Sequence, residues 1–126
     1  MLLNLSDLSP EPLHRQISSQ LRALILAGEL EDGASLPSIR GLARDQKVSV
    51  ITVQRAYEDL ERERLIVARR GKGFFVAVIQ EEEKKDMAEK RFIEALDSVL
   101  ESALQEGLSA DTLLRIVQDR LRQVGS

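Results

Sequence analysis

Two groups of residues in this 126-residue chain carry side chains that could engage a partner. The stretch Arg70-Gly71-Lys72-Gly73 sets two cations among glycines, which let a backbone approach another molecule closely. Upstream, Ser49, Thr52, Gln54 and Arg55 bring together hydroxyls, an amide and a guanidinium on what reads as the wet face of a short helix. Groups of these types hydrogen-bond phosphates and base edges, and such a helix suits a major groove. A thin glycine loop fits a minor groove better than a bulky one. Taken singly, each piece is an ordinary solvated helix or tight turn. Together, in this order, they favour double-stranded DNA.

Other chemistry finds little footing. The chain has no Cys and one His, His14, so thiolate metal sites, zinc fingers, disulfides and Cys nucleophiles are excluded together. Gly71-Lys72-Gly73 is not a phosphate loop, because such loops run from a strand into a helix and need more glycines. Glu58, Asp59, Glu61 and Glu63 point in different directions on a helix and are interleaved with arginines, which makes them a salt-laced helix end. No nucleophile stands with a base. The chain reads as a non-enzyme, with no cofactor and no metal.

The formal net charge of −3 hides an asymmetry. Residues 38–79 carry 9 basic and 5 acidic side chains, whereas residues 80–126 carry 7 basic and 11 acidic. A basic segment joined to an acidic one implies a polyanionic partner for the first only. Apolar residues at 43% and charged residues at 31% give a globular balance. With four aromatics (Tyr57, Phe74, Phe75, Phe92) the core must be aliphatic. The longest apolar run, Phe74 to Ile79, is far short of a membrane span, and the N-terminus lacks a secretory pattern, so the expected location is the cytoplasm, with no membrane partner.

These groups need elements to hold them. Ser9 and the prolines at 10 and 12 predict a helix start, and Leu13, Ile17, Leu21, Leu24 and Ile25 form its stripe before Gly28. A turn-rich connection runs from Glu29 to Ser35. Ser38 then caps a short second helix with Ile39, Leu42 and Ala43 inward, ending near Lys47. Ser49 caps a third, with Val53, Ala56, Tyr57 and Leu60 buried, running to about Arg64. Leu65–Arg69 and Phe74–Val78 read as a β-hairpin. Three helices and a hairpin in this order make a winged helix-turn-helix over residues 1–79.

Residues 80–126 return to a helical period. Glu81, Glu82 and Glu83 crowd a first turn, and Phe92, Leu96, Val99, Leu100 and Ala103 make a stripe ending near Gly107. Ser109 caps a last helix striped by Leu114, Val117, Leu121 and Val124. Two helices this short cannot build a core, so a second copy of the chain is the simplest cover, and these residues are the expected homodimer contacts. The fold class is mainly α with a small β-hairpin wing, followed by a two-helix dimerisation tail.

Residues 10–77 resemble the GntR family of transcriptional regulators. The likeness is carried by Pro12-Leu13-x-x-Gln16-Ile17, by Leu21-Arg22-x-x-Ile25-x-x-Gly28-x-Leu30-x-x-Gly33-x-x-Leu36-Pro37-Ser38-x-Arg40-x-Leu42-Ala43, by Val48-Ser49-x-x-Thr52-Val53-x-x-Ala56-Tyr57-x-x-Leu60-x-x-Glu63, and by Gly71-x-Gly73-x-Phe75-Val76. The short tail is similar to that of the YtrA-like subfamily. The resemblance implies a repressor that binds a palindromic operator as a homodimer. It assigns DNA contacts to Arg40, to Ser49, Thr52 and Gln54, and to Arg70, Gly71 and Lys72. Three positions depart from the pattern. Val50 stands where the family often has Arg, which removes a common base or phosphate contact. Arg64 replaces a usual Gly and is expected either to extend the third helix or to strain its end. His14 replaces a usual Tyr. A tail of this length leaves little room for an enclosed small-molecule pocket, and no effector is assigned. The competing reading is a protein-interaction module on a winged-helix scaffold that has lost DNA binding; the basic excess in 38–79 speaks against it.

Overall fold

The computed structural model describes residues 3–125. Its elements run α1 (Leu13–Leu26), α2 (Ile39–Gln46), α3 (Val50–Arg62), β1 (Ile66–Arg69), β2 (Gly73–Val76), α4 (Glu81–Gln105) and α5 (Ala110–Val124). The described chain divides between Lys85 and Asp86 into two compact units.

In the first unit, the periodic apolar positions of three helices meet. Ile17, Leu21 and Ile25 from α1, Leu42 and Ala43 from α2, and Val53, Ala56, Tyr57 and Leu60 from α3 are all buried. Leu65, Ile66 and Val76 close the core from the hairpin side. A mostly aliphatic core of this kind is held by burial at about 25 cal/mol per Å² of apolar surface. The single buried aromatic hydroxyl needs a partner in such a place. Tyr57 finds one, donating to the Pro37 carbonyl at 2.7 Å and so tying α3 to the entry of α2. Its ring meets Phe74 edge-on, with centroids 4.9 Å apart, which joins α3 to the wing.

Ser38 and Ser49 cap α2 and α3 as their positions predict, accepting from the backbone N–H groups of Gly41 and Thr52. Ser9 does not cap α1. The helix starts later, after Pro12, with no side-chain cap, and Ser9 Oγ instead accepts from the Glu11 N–H in the preceding turn. The α1 entry is held from the other side. Gln16 and Gln20 each present an amide to the N-terminal arm, pairing with the backbone of Ser6 and Asn4 at 2.8–2.9 Å. Gln16 also donates to the Glu11 carbonyl. The two side chains thus act as a substitute strand, and Leu3 is buried at the end of the arm they fasten.

The hairpin is shorter than its apolar run. β1 and β2 pair antiparallel from Ile66 opposite Val76 to Arg69 opposite Gly73, so Leu65, Ala77 and Val78 lie outside the strands and Val78 is exposed. The Glu29–Ser35 connection, for its part, is more than a turn. Its end runs along the outer edge of β2: Gly33 N–H donates to Val76 O, Val76 N–H to Ala34 O, and Leu36 N–H to Phe74 O. A two-stranded ribbon is marginal alone, and this third, loop-borne line satisfies its free edge.

The helix ends show how Arg64 is accommodated. α3 stops at Arg62, and Arg64 takes φ 64°, so it strains the terminus rather than extending the helix. Arg64 N–H reaches Glu61 O and Leu65 N–H reaches Leu60 O, the paired bonds of a Schellman end. That geometry needs a left-handed residue whatever its identity. Beneath it, Arg22 grips Glu63 through two 2.7 Å bonds, Nε to Oε1 and Nη2 to Oε2, fixing the end of α3 to α1.

The first turn of α4 belongs to this unit. Lys84 is buried, and its ammonium lies 2.8 Å from the Asp32 carboxylate in the α1–α2 loop. The second unit comprises the rest of α4 and α5, joined through Gly107 at φ 95°, with Ser109 capping α5. α5 buries none of its residues, and Lys84 is the sole buried residue of α4.

Candidate nucleic-acid interface

The helix-turn-helix is α2, the tight link through Lys47 and α3. Lys47 takes φ 57°, and Val48 N–H closes back on Ala43 O, so the chain reverses within three residues and α3 starts at once. This brevity is what lets one face of α3 pack on α1 and α2 while the other faces solvent. Ser49, Gln54 and Arg55 are exposed and Thr52 is half-buried, all on that outer face. Arg40, on the first turn of α2, is exposed as well.

Several of these polar groups are already engaged within the helix. Ser49 Oγ caps Thr52 N–H and lies 2.7 Å from Thr52 Oγ1. Gln54 Nε2 donates to Glu58 Oε1 at 3.2 Å. The carboxylates of the α3 end are likewise occupied: Asp59 pairs with Arg62, and Glu63 with Arg22. Of the four carboxylates, Asp59 makes the salt link with a neighbouring arginine that the interleaving predicts, whereas Glu63 pairs with Arg22 of α1; among the described residues no cluster of His, Asp and Glu could hold a metal ion.

The wing tip is the turn Arg69 to Lys72, closed by Lys72 N–H to Arg69 O at 2.9 Å. Gly71 sits at φ 75°, a conformation that β-carbon-bearing residues resist, so the glycine is required by the turn as well as by any close approach. Arg70, Gly71 and Lys72 are all exposed. Arg69, which the sequence reading places only at the end of the first hairpin run, lies with its guanidinium 5.0 Å from the centre of the Phe75 ring. The alternation of β1 and β2 places these two on one face, a diagonal neighbour relation available only once the register is known.

The expected dimer residues lie in the second unit, and five of the eight are exposed in the single chain. Phe92, Val99, Leu114 and Leu121 are each more than 60% exposed, Val117 is 40% exposed, and Leu96, Leu100 and Ala103 are half-buried. No described helix is long and apolar enough to cross a membrane.

Known proteins share this arrangement. Residues 13–76 match the model for "Bacterial regulatory proteins, gntR family". The chain is 32% identical over 106 residues to the uncharacterized HTH-type transcriptional regulator YhcF of Bacillus subtilis, covering 84% of this chain and 87% of that one. It is 36% identical over 76 residues to the HTH-type transcriptional repressor YtrA of the same organism, covering 60% of this chain and 58% of the relative. Among solved structures, YtrA from Sulfolobus acidocaldarius, a GntR-family transcription factor, superposes with a TM-score of 0.61 at 32% identity, over 77% of this chain and 99% of that one. With its winged helix-turn-helix, its exposed third helix and its cationic wing, the chain belongs to the GntR family of DNA-binding bacterial transcriptional regulators.

Proposed function

We propose that the chain is a cytoplasmic repressor that binds a palindromic operator as a homodimer, with α3 in the major groove and the wing tip against the minor groove. The observation that carries this reading is the pairing of an exposed polar α3 face with an exposed Arg70-Gly71-Lys72 turn on one small scaffold. Arg40, Arg55, Arg70 and Lys72 meet phosphates, and Gln54 reaches a base edge after releasing Glu58. The repressor role is supported by the name of the relative YtrA. Residues 1–79 hold the DNA and residues 80–126 hold the partner copy. The exposed apolar residues of α4 and α5 support that division, because side chains such as Phe92 and Leu121 gain by leaving water. Two-fold pairing would set the two α3 helices for half-sites about 34–36 Å apart, or a multiple of that.

A mobility shift on duplexes from the chain's own promoter region tests the DNA role, and sedimentation tests the dimer. The double variant Val99→Glu/Leu121→Glu keeps good helix formers on exposed positions and removes apolar contacts. It is expected to sediment as a monomer and to bind near the non-specific level, roughly 10⁻⁴–10⁻⁶ M at physiological salt. A variant that stays dimeric, or binds as tightly as the parent, overturns the division of labour.

A further inference from the structure

The outer face of α3 is not uniformly polar. Val50 and Ile51 are its first two residues, and they remain 40% and 68% exposed. The core does not need Ile51: Val53, Ala56, Tyr57 and Leu60, on the opposite side, are fully buried and supply the packing, while Val50, one turn before Val53, sits at the margin between the two faces. Around the pair, the polar candidates are partly spoken for, since Ser49 and Thr52 bond each other and Gln54 bonds Glu58. Arg40, Arg44, Lys47 and Arg55 on α2, the turn and α3 are exposed as well, Arg44 beside Asp45 at 3.5 Å, so the helix-turn-helix surface carries a cationic excess. Two branched side chains are too small a patch for a protein interface, which takes about 800 Å² per partner. At the leading end of a groove-entering helix on a surface with a cationic excess, they suit an apolar group inside a polyanion. Double-stranded DNA offers one such group in its major groove, the C5 methyl of thymine.

Building on the DNA-binding reading above, we propose that Val50 and Ile51 determine specificity by packing on thymine methyls in each half-site. Leading residues of a recognition helix are the ones that meet base edges. A β-branched side chain there has few rotamers to lose on contact, so it can select a methyl with little ordering cost. The contact discriminates thymine from cytosine and from uracil without any hydrogen bond. It therefore reads the base independently of Gln54.

The test uses the full chain and duplexes selected by it from a random library. Each thymine of the selected half-site is then replaced in turn by deoxyuridine, which deletes the methyl and leaves every hydrogen-bonding group in place. One or two replacements are expected to weaken binding about fourfold each, the fold-change of burying one methyl-sized group. Ile51→Ser or Val50→Ser should abolish the corresponding penalty, and Val50→Arg should move the preference at its position from thymine to guanine. Both sites are exposed, and circular dichroism with sedimentation confirms that the variants keep fold and assembly. Uridine tolerated at every thymine, a penalty that persists in both serine variants, or half-sites selected without thymine would each overturn the inference while leaving DNA binding intact. Selection of no sequence at all would overturn the DNA-binding reading, and the inference with it.

Discussion

Replacing Arg64 by glycine should make the protein more stable, although it deletes a side chain and adds freedom to the unfolded chain. Arg64 holds φ 64° because the Schellman end of α3 demands a left-handed residue there. For a residue with a β-carbon, that conformation costs roughly 1–2 kcal/mol. Glycine removes the cost but loses about 0.5–1 kcal/mol through the entropy of the unfolded state. The difference spans roughly 0–1.5 kcal/mol and centres on about 0.75 kcal/mol, which in a unit of this size raises Tm by roughly 3–6 °C. Gly28 supplies the opposite control. It ends α1 at φ 80° with the same bond pattern, Gly28 N–H to Ile25 O and Glu29 N–H to Leu24 O. Nothing lies within 4 Å of where a β-carbon would stand, so Gly28→Ala adds backbone strain and no clash. Thermal melts of the parent, Arg64→Gly and Gly28→Ala should rank with Arg64→Gly highest and Gly28→Ala lowest. If Arg64→Gly melts at or below the parent, the Arg64 side chain contributes more than its backbone costs, and the strain argument fails.

Three further outcomes are expected. Burial raises the Tyr57 hydroxyl from an ordinary 10 to about 12; with the folded value above the unfolded one, its contribution is intact below pH ~10 and is lost as pH rises towards ~12. Since the chain has one Tyr and no Trp, phenolate absorbance reads this group alone, and Tyr57→Phe should flatten the alkaline loss of stability. For the pair at the start of α4, Asp32→Ala strands a buried ammonium, whereas Lys84→Met leaves a carboxylate that is 34% exposed. In urea titrations the former should cost roughly 1–3 kcal/mol and the latter less than half as much; equal losses would count against burial as the cause. Finally, Arg40→Ala and Arg70→Ala should each weaken operator binding with unchanged melting, and should reduce the slope of log affinity against log salt by about 1 per lost phosphate contact. An unchanged slope removes that residue from the interface.

Much of the DNA-binding unit was legible in the residues alone, because its signals are local. The stripe Val53, Ala56, Tyr57, Leu60 announces which face of α3 is dry, and so which face holds Ser49, Gln54 and Arg55. Ser38 and Ser49 mark helix starts because a hydroxyl there satisfies an orphan N–H. The glycines of the wing follow from the positive φ of its turn. The tail stripes likewise show in the helical period, yet a single chain leaves Phe92, Val99, Leu114 and Leu121 exposed, and the second copy proposed to cover them is not written in that period.

Tertiary structure decided what depends on residues distant in sequence. Gln16 carries part of the family likeness and Gln20 no signal of its own, and neither shows its structural role until the N-terminal arm lies beside them and their amides replace a missing strand. Gly33 to Ser35 read as a turn because nothing in their own sequence specifies β2 as a neighbour; only the folded wing offers the free edge that they and Leu36 fill. Lys84 stands in an acidic first turn that any sequence pattern assigns to solvent, and it is buried because the α1–α2 loop brings Asp32 to it. Arg64 poses a choice between a longer helix and a strained end. Locally, either was open. The choice falls to strain because Leu65 must turn into the core, its N–H bonding Leu60 O, and because Arg22, 41 residues upstream, holds Glu63 in place. Periodicity and capping are properties of neighbours along the chain, while such pairings exist only after distant segments meet.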